Sequence, residues 1–333
     1  MSGESVPYHL RQNKHVDRQL FIELLSHLDR AVPIKKALYI SFGGVYFEDF
    51  KLIHQVFGTK KLLSVEREPW VYQRQRRNRP YGCITCRQMT SRQLVNSIDQ
   101  FRGTAASPII CWLDFSEAAA RRGQLEDVGI FAAKAHHLDI LRITMNVNAE
   151  SLSERVPQET NDACDKRRFQ QLRDGYADFI DRAIEPTDAT QGGFPPFCLE
   201  MVKRSIHRGV RSSPGIVFQP LGSFTYADSN HTMLTVTGIF LREEESDQII
   251  SRTRLKGFEF ANMGWNSLHI NVPLLSLREK LLLDQRFGSK RSAGGVASSM
   301  GFQLHKNPDV SRRMLKSYFQ FHRYYPHFHR IHY

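Results

Sequence analysis

Gly43-Gly44 breaks a short apolar run, Ala37 to Ser41, and Glu66 closes a second, Leu62 to Val65. Between them, Val45 to Phe57 carries Phe47, Phe50, Ile53 and Phe57 at helical spacing and stops at Gly58. Strand, tight turn, helix, strand and acid make the opening βαβ of a nucleotide-handling domain. The turn brings backbone close to a ligand, and the acid accepts hydrogen bonds from a ribose. Plainer roles compete: a turn that needs positive φ, and a surface acid at a strand end. Asp114 leaves a third apolar run (PIICWL, Pro108 to Leu113) at its carboxyl end, where ligands collect in open α/β sheets. A carboxylate there can orient or deprotonate a hydroxyl or amine. It can also cap the following helix, with Glu117 three residues on. Asn146 and Asn148 follow a further run at the same edge, to meet a substrate or to turn the chain.

Charge supplies the second set of candidates. The chain has a net charge of +12, which favours polyanionic partners. Arg74, Arg76, Arg77 and Arg79 cluster just after Trp70 and Tyr72, a combination suited to phosphates and stacked bases, or else a solvated helix face. From Arg286 to the end there are nine Lys/Arg and one acid, and the C-terminus interleaves Phe, Tyr, His and Arg. That many aromatics favour docking into a groove of the chain's own domain or a partner over an electrostatic tail. Cys83 and Cys86 form a CxxC without two further clustered ligands, so a structural role is expected and no metal. No apolar run approaches the ~20 residues that span a bilayer, and the first residues lack a signal-peptide core, which points to the cytoplasm.

These residues need a scaffold. His15 to Ala31 reads as an amphipathic helix covering the sheet, with Val16, Leu20, Leu24, Leu25 and Leu28 on one face. Strands are expected at Gly82 to Cys86 and Ile140 to Val147, and helices at Pro69 to Arg77, Ser91 to Phe101 and Leu125 to His136. Two more helices, Ala163 to Ile184 and Pro196 to His207, precede a hairpin from Gly215 to Leu241 that turns at Asp228-Ser229-Asn230. The expected fold class is α/β, a Rossmann-like doubly wound sheet, mostly parallel with an antiparallel terminal hairpin, plus a helical C-terminal extension. The pattern divides into a helical cover (1–35), the α/β domain (36–242) and a basic aromatic extension (243–333), with Glu243 to Glu245 as a solvated break. Within the extension, Leu275 to Phe287 and Asp309 to Tyr325 look helical around a Ser/Gly-rich loop.

That order of elements resembles the class I S-adenosylmethionine-dependent methyltransferase fold. The resemblance is carried by LYISFGG (Leu38 to Gly44), LLSVE (Leu62 to Glu66), CWLDF (Cys111 to Phe115) and the hairpin around Asp228, over about residues 15 to 241. More narrowly, RQNKHVDR (Arg11 to Arg18), FGGVYFEDF (Phe42 to Phe50) and RQRRNRP (Arg74 to Pro80) are similar to uncharacterised bacterial proteins labelled "putative O-methyltransferase".

The resemblance implies S-adenosylmethionine as cofactor, with Ser41, Phe42, Gly43 and Gly44 facing its methionine part. Glu66 would accept from its ribose hydroxyls, and Asp114 would stand near the methyl acceptor. Ser41 stands where such turns carry a carboxylate, and Val45 and Phe47 where small residues are usual. The implied activity is methyl transfer to an O or N nucleophile of an anionic substrate, with nucleic acid or a nucleotide as candidates. No NPPY-like sequence points to an amino-methyltransferase of adenine or cytosine. The alternative is a catalytically degenerate subunit of a bacterial defence or mobile-element system, holding nucleic acid or a partner protein through Arg74 to Arg79 and the C-terminus. A third reading is a nucleotide-binding or nucleotide-cleaving enzyme using the same crevice.

Overall fold

Continuous burial along the apolar runs builds one sheet with two covered faces. The computed structural model describes residues 11–102, 107–153, 156–229, 231–286 and 302–326. The parallel strands are β1 (Leu38–Ser41), β2 (Lys61–Glu66), β3 (Ile84–Gln88), β4 (Ile109–Asp114) and β5 (Ile140–Asn146). The hairpin of β6 (Ile216–Asp228) and β7 (His231–Arg242) follows, then β8 (Leu268–Ile270). The sheet order is β3-β2-β1-β4-β5-β7-β6-β8. β7 pairs antiparallel with β5, and β8 adds a parallel edge to β6. Register lines up the carboxyl ends: Ser41 lies beside Ser64 and Trp112, and Asp114 beside Thr144.

The helices are α1 (Gln12–Leu28), α2 (Glu48–Phe57), α3 (Pro69–Asn78), α4 (Ser91–Asn96), α5 (Ile98–Phe101) and α6 (Arg121–Ala133). After them come α7 (Asn161–Tyr176), α8 (Phe194–Val210), α9 (Ser246–Thr253), α10 (Leu277–Asp284) and α11 (Pro308–Phe321). Side chains two apart in each strand separate the faces. Tyr39, Ile110 and Trp112 pack with α1 and α2, whereas Ile40, Cys111 and Leu113 pack with α4, α6 and α8.

α1 crosses the sheet as its periodicity predicts: Val16, Leu20, Leu24, Leu25 and Leu28 are buried. Each contributes about 1.5–3 kcal/mol relative to exposure. Under it lies a polar anchor invisible in the apolar pattern. Asp17 accepts from Arg142 of β5 at 2.5 Å and from Thr235 of β7 at 2.8 Å, and all three are buried. The Arg142 guanidinium also lies 4.6 Å from the ring centres of both Phe21 and Trp112.

Several boundaries differ from expectation for physical reasons. The helix expected from Val45 begins only at Glu48, because Gly43, Gly44 and Phe47 all have positive φ (62°, 56° and 55°) and continue the turn. The helix expected from Ser91 to Phe101 breaks at Ser97, whose hydroxyl donates back to the Gln93 carbonyl at 2.7 Å. Glu243–Glu245 is an exposed turn leading into α9, whose Ile249 joins the core that α1 covers. The aromatics of α11 are core too. Tyr318, Phe321, Tyr324 and Tyr325 are buried, Phe260 stacks on Phe321, and the Tyr325 hydroxyl donates to the Pro273 carbonyl at 2.9 Å. The Ser/Gly-rich loop, Asn230 and the final seven residues fall outside the described residues.

Candidate active site

The carboxyl ends of β1, β2 and β4 open into a cleft of about 500 Å³. Ser41, Phe42, Gly43, Gly44, Glu66 and Asp114, far apart in sequence, all line it. The turn above β1 is held from two neighbouring elements. Gln75 of α3 donates to the Phe42 carbonyl at 2.7 Å and accepts from Ser64 of β2 at 3.1 Å, while Asn78 donates to the Val45 carbonyl at 3.2 Å. Gly43 is required twice over. Its φ is 62°, and a β-carbon there would meet the Ser64 hydroxyl at 2.5 Å.

Glu66 sits at the rim, with one oxygen accepting the Glu68 backbone N–H at 2.9 Å. Burial raises its pKa above the ordinary carboxylate value, against the pull of the Glu68 and Arg67 backbone N–H groups. Asp114 is no helix cap, since α6 starts seven residues later. Its carboxylate faces the cleft and pairs with Lys14 of α1 at 3.1 Å.

Four cleft residues were missed from sequence: Arg11, which precedes α1, Lys14 and Arg18 of α1, and Asp49 of α2. The signals were available. Arg11, Lys14 and Arg18 recur at i, i+3 and i+7, one face of a helix, and Asp49 lies in the first turn of its helix. Arg11 pairs with Asp228, at the end of β6, at 2.9 Å. Asp49 is buried at the cleft wall and accepts from the Tyr39 hydroxyl at 2.6 Å. Burial raises the Asp49 pKa, opposed by hydrogen bonds from Tyr39 and Ser41 and by the positive charge of Arg18. A carboxylate therefore does stand beside Ser41, brought from the next element rather than carried by the turn. Carboxylates outnumber cations along the cleft, so the chain's positive excess is not concentrated there.

Arg74, Arg76, Arg77 and Arg79 lie elsewhere. All four are exposed on α3 and its C-terminal cap, and α3 reaches the cleft only through Val71. Asn146 and Asn148 turn the chain: Asn146 accepts from the Asn148 N–H at 2.9 Å, and Asn148 from Glu150 and Gln191. Cys83 and Cys86 are half-buried free thiols, and burial pushes the Cys86 thiol up. Among the described residues no cluster of His, Cys, Asp or Glu has the makings of a metal site. No helix among them is long and apolar enough to cross a membrane.

An open sheet in the order 3-2-1-4-5-7-6, with its cleft over the carboxyl ends of strands 1, 2 and 4, defines the protein as one of class I methyltransferase fold. Residues 6–333 match the family described as "Putative O-methyltransferase", and the chain belongs to that family. Membership favours a methyltransferase over a degenerate binding subunit. No curated protein matches the chain. Among solved structures it is similar to a "putative O-methyltransferase" from Klebsiella pneumoniae (13% identity, 68% of this chain and 80% of that one, TM-score 0.37). It is also similar to the O-methyltransferase TomG from Streptomyces achromogenes, involved in tomaymycin synthesis and solved with S-adenosylmethionine (13%, 67% and 78%, TM-score 0.36). A third is an S-adenosylmethionine-dependent methyltransferase from Anabaena variabilis (12%, 70% and 87%, TM-score 0.36).

Proposed function

We propose that the cleft binds S-adenosylmethionine and that the protein passes the methyl group to an acceptor hydroxyl held between α1 and the end of the β6–β7 hairpin. The observation that carries this reading is the convergence of the glycine turn, Glu66, Asp49 and Asp114 on one cleft in a protein of this family. The residues fit the cofactor's chemistry. The positive-φ turn at Gly43-Gly44 leaves backbone close to the cleft. Glu66 is the acceptor for the ribose hydroxyls, and Asp49 the carboxylate for the methionine ammonium, with buried Arg18 for its carboxylate. Bound there, the cofactor would supply an electrophilic methyl group carried on a sulfonium. Asp114 takes the proton of the acceptor hydroxyl, and Lys14, at 3.1 Å, fixes the direction of that carboxylate. Phe42 and Phe115, with ring centres 5.9 Å apart, form an apolar wall that excludes water from the approach.

Calorimetry and thermal shift with S-adenosylmethionine, S-adenosylhomocysteine and 5′-methylthioadenosine test this. A ligand at 100 times its Kd stabilises by about 2.7 kcal/mol. Glu66→Ala should weaken all three ligands. Asp49→Asn should weaken the two that carry an amino acid and spare 5′-methylthioadenosine. Absence of any shift with all three ligands overturns the reading.

A further inference from the structure

α3 turns three stripes in three directions. Val71 and Gln75 face inward, and Asn78 ties the end of the helix to the Val45 carbonyl. Trp70, Arg74 and Arg77 follow one outer flank at i, i+4 and i+7, and Tyr72 and Arg76 the other. Trp70 is 47% exposed although it is the largest apolar side chain of the helix. The Arg74 guanidinium lies 5.8 Å from the Trp70 ring centre, and that of Arg76 lies 5.9 Å from Tyr72. Arg79 differs: it donates to the Arg76 and Ile84 carbonyls and closes the helix.

The outer arginines of this helix lack the acid partners that several other surface arginines have. Arg92 pairs with Glu126 and Asp127, Arg122 with Asp178, and Arg182 with Asp188 and Glu200. Among the described residues, Arg74, Arg76 and Arg77 pair with no carboxylate, and the first two lie against their own aromatic neighbours. Three uncompensated guanidinium groups within about one helical turn repel one another, a cost that a polyanion removes. The two rings add flat surfaces on which bases stack.

We propose that the outer face of α3 is a binding surface for single-stranded nucleic acid, with Arg74, Arg76 and Arg77 on phosphates and Trp70 stacked on a base. Guanidinium groups beside exposed rings favour a strand with accessible bases over a duplex, which offers phosphates but hides its base faces. They also favour it over an acidic protein surface, which gives Trp70 nothing to stack upon. The surface is separate from the cofactor cleft and its test does not depend on methyl transfer.

Fluorescence anisotropy with a labelled oligouridylate of about twelve nucleotides, set beside heparin as a polyanion without bases, provides the test. Binding to the oligonucleotide should weaken with salt between about 50 and 200 mM with a log–log slope near −2, as about three neutralised phosphates require. Charge reversal of Arg74, Arg76 and Arg77 to Glu should reduce affinity for both probes by at least about tenfold. Trp70→Ala should cost about tenfold on the oligonucleotide and leave heparin unchanged. If the triple reversal does not fold, by circular dichroism and melting, Arg74→Gln with Arg77→Gln carries the same test with a smaller loss. The proposal is overturned if the wild type ignores the oligonucleotide at low salt, or if reversing Lys203 and Arg211 on and just beyond α8 costs as much as reversing the α3 arginines. An equal effect of Trp70→Ala on both probes, or none on either, also overturns it and leaves a plain polyanion or acidic-protein surface.

Discussion

Arg11 and Lys14, at the start of α1, reach across the cleft to Asp228 and Asp114, acids delivered by strands far away in sequence. Arg74, Arg76 and Arg77 of α3, further along the sheet, meet no acid among the described residues, and Arg74 and Arg76 lean on their own aromatic neighbours. Both segments carry clustered cations, yet one set belongs to the architecture of the site and the other remains available. A net charge of +12 records neither fact. Charge is useful to a partner only where the fold leaves it uncompensated, and among the described residues α3 is such a place where the cleft is not.

Asp17→Ala leaves the Arg142 guanidinium buried without its carboxylate and should destabilise the protein by about 3–5 kcal/mol, read from urea unfolding. A loss below about 1 kcal/mol would mean that α1 is not anchored through this pair. Lys14→Met removes a partly buried pair and should cost about 1–2 kcal/mol, between the buried and exposed limits.

Asp49 supplies a pH test. Its folded-state pKa is raised, chiefly by burial, so the folded protein keeps a proton that the unfolded chain has already lost. Its contribution is fully present below the unfolded value near about 4 and is lost as pH rises through the folded one. The stability of Asp49→Asn relative to wild type should therefore improve from about pH 4 upward, measured as melting temperature against pH. A relative stability that falls instead as pH rises would mean that Arg18 outweighs burial, so that this cation is tied to an acid of the site just as Lys14 is. The smallest effect is expected on α3. Replacing Arg74, Arg76 and Arg77 by Ala should change stability by no more than about 0.5 kcal/mol each, and a larger loss would place these arginines inside the architecture.

Much of the scaffold was legible because its signals are local and periodic. Ile109 to Leu113 is apolar at every position because a central parallel strand is buried on both faces. The hairpin announced itself by two long β-rich runs around Asp228-Ser229. Less legible were elements whose stability comes from packing alone. β8 is three residues long and exists because β6 offers an edge, and α9 is a helix of only eight residues, too short for a period to show in sequence. Docking of the C-terminal aromatics was readable for the described rings Tyr318 to Tyr325, since so many rings must be buried, but their groove against Phe260 and Pro273 was not.

The opening turn shows the same division at the scale of single residues. Gly43, Gly44 and Glu66 could be picked out from sequence alone, because positive φ and the end of a strand are properties of the local chain. The acid beside Ser41 could not. Nothing local says that Asp49, eight residues on and inside a helix, turns back toward Tyr39 and the cleft wall. Nor does the sequence say that Lys14, a hundred residues away, closes on Asp114. Sequence determined which segments become strands and helices and where the chain must turn, since those depend on side-chain period and backbone freedom. Which charges meet, and which are left facing solvent, depends on distances between elements that only the packed sheet sets.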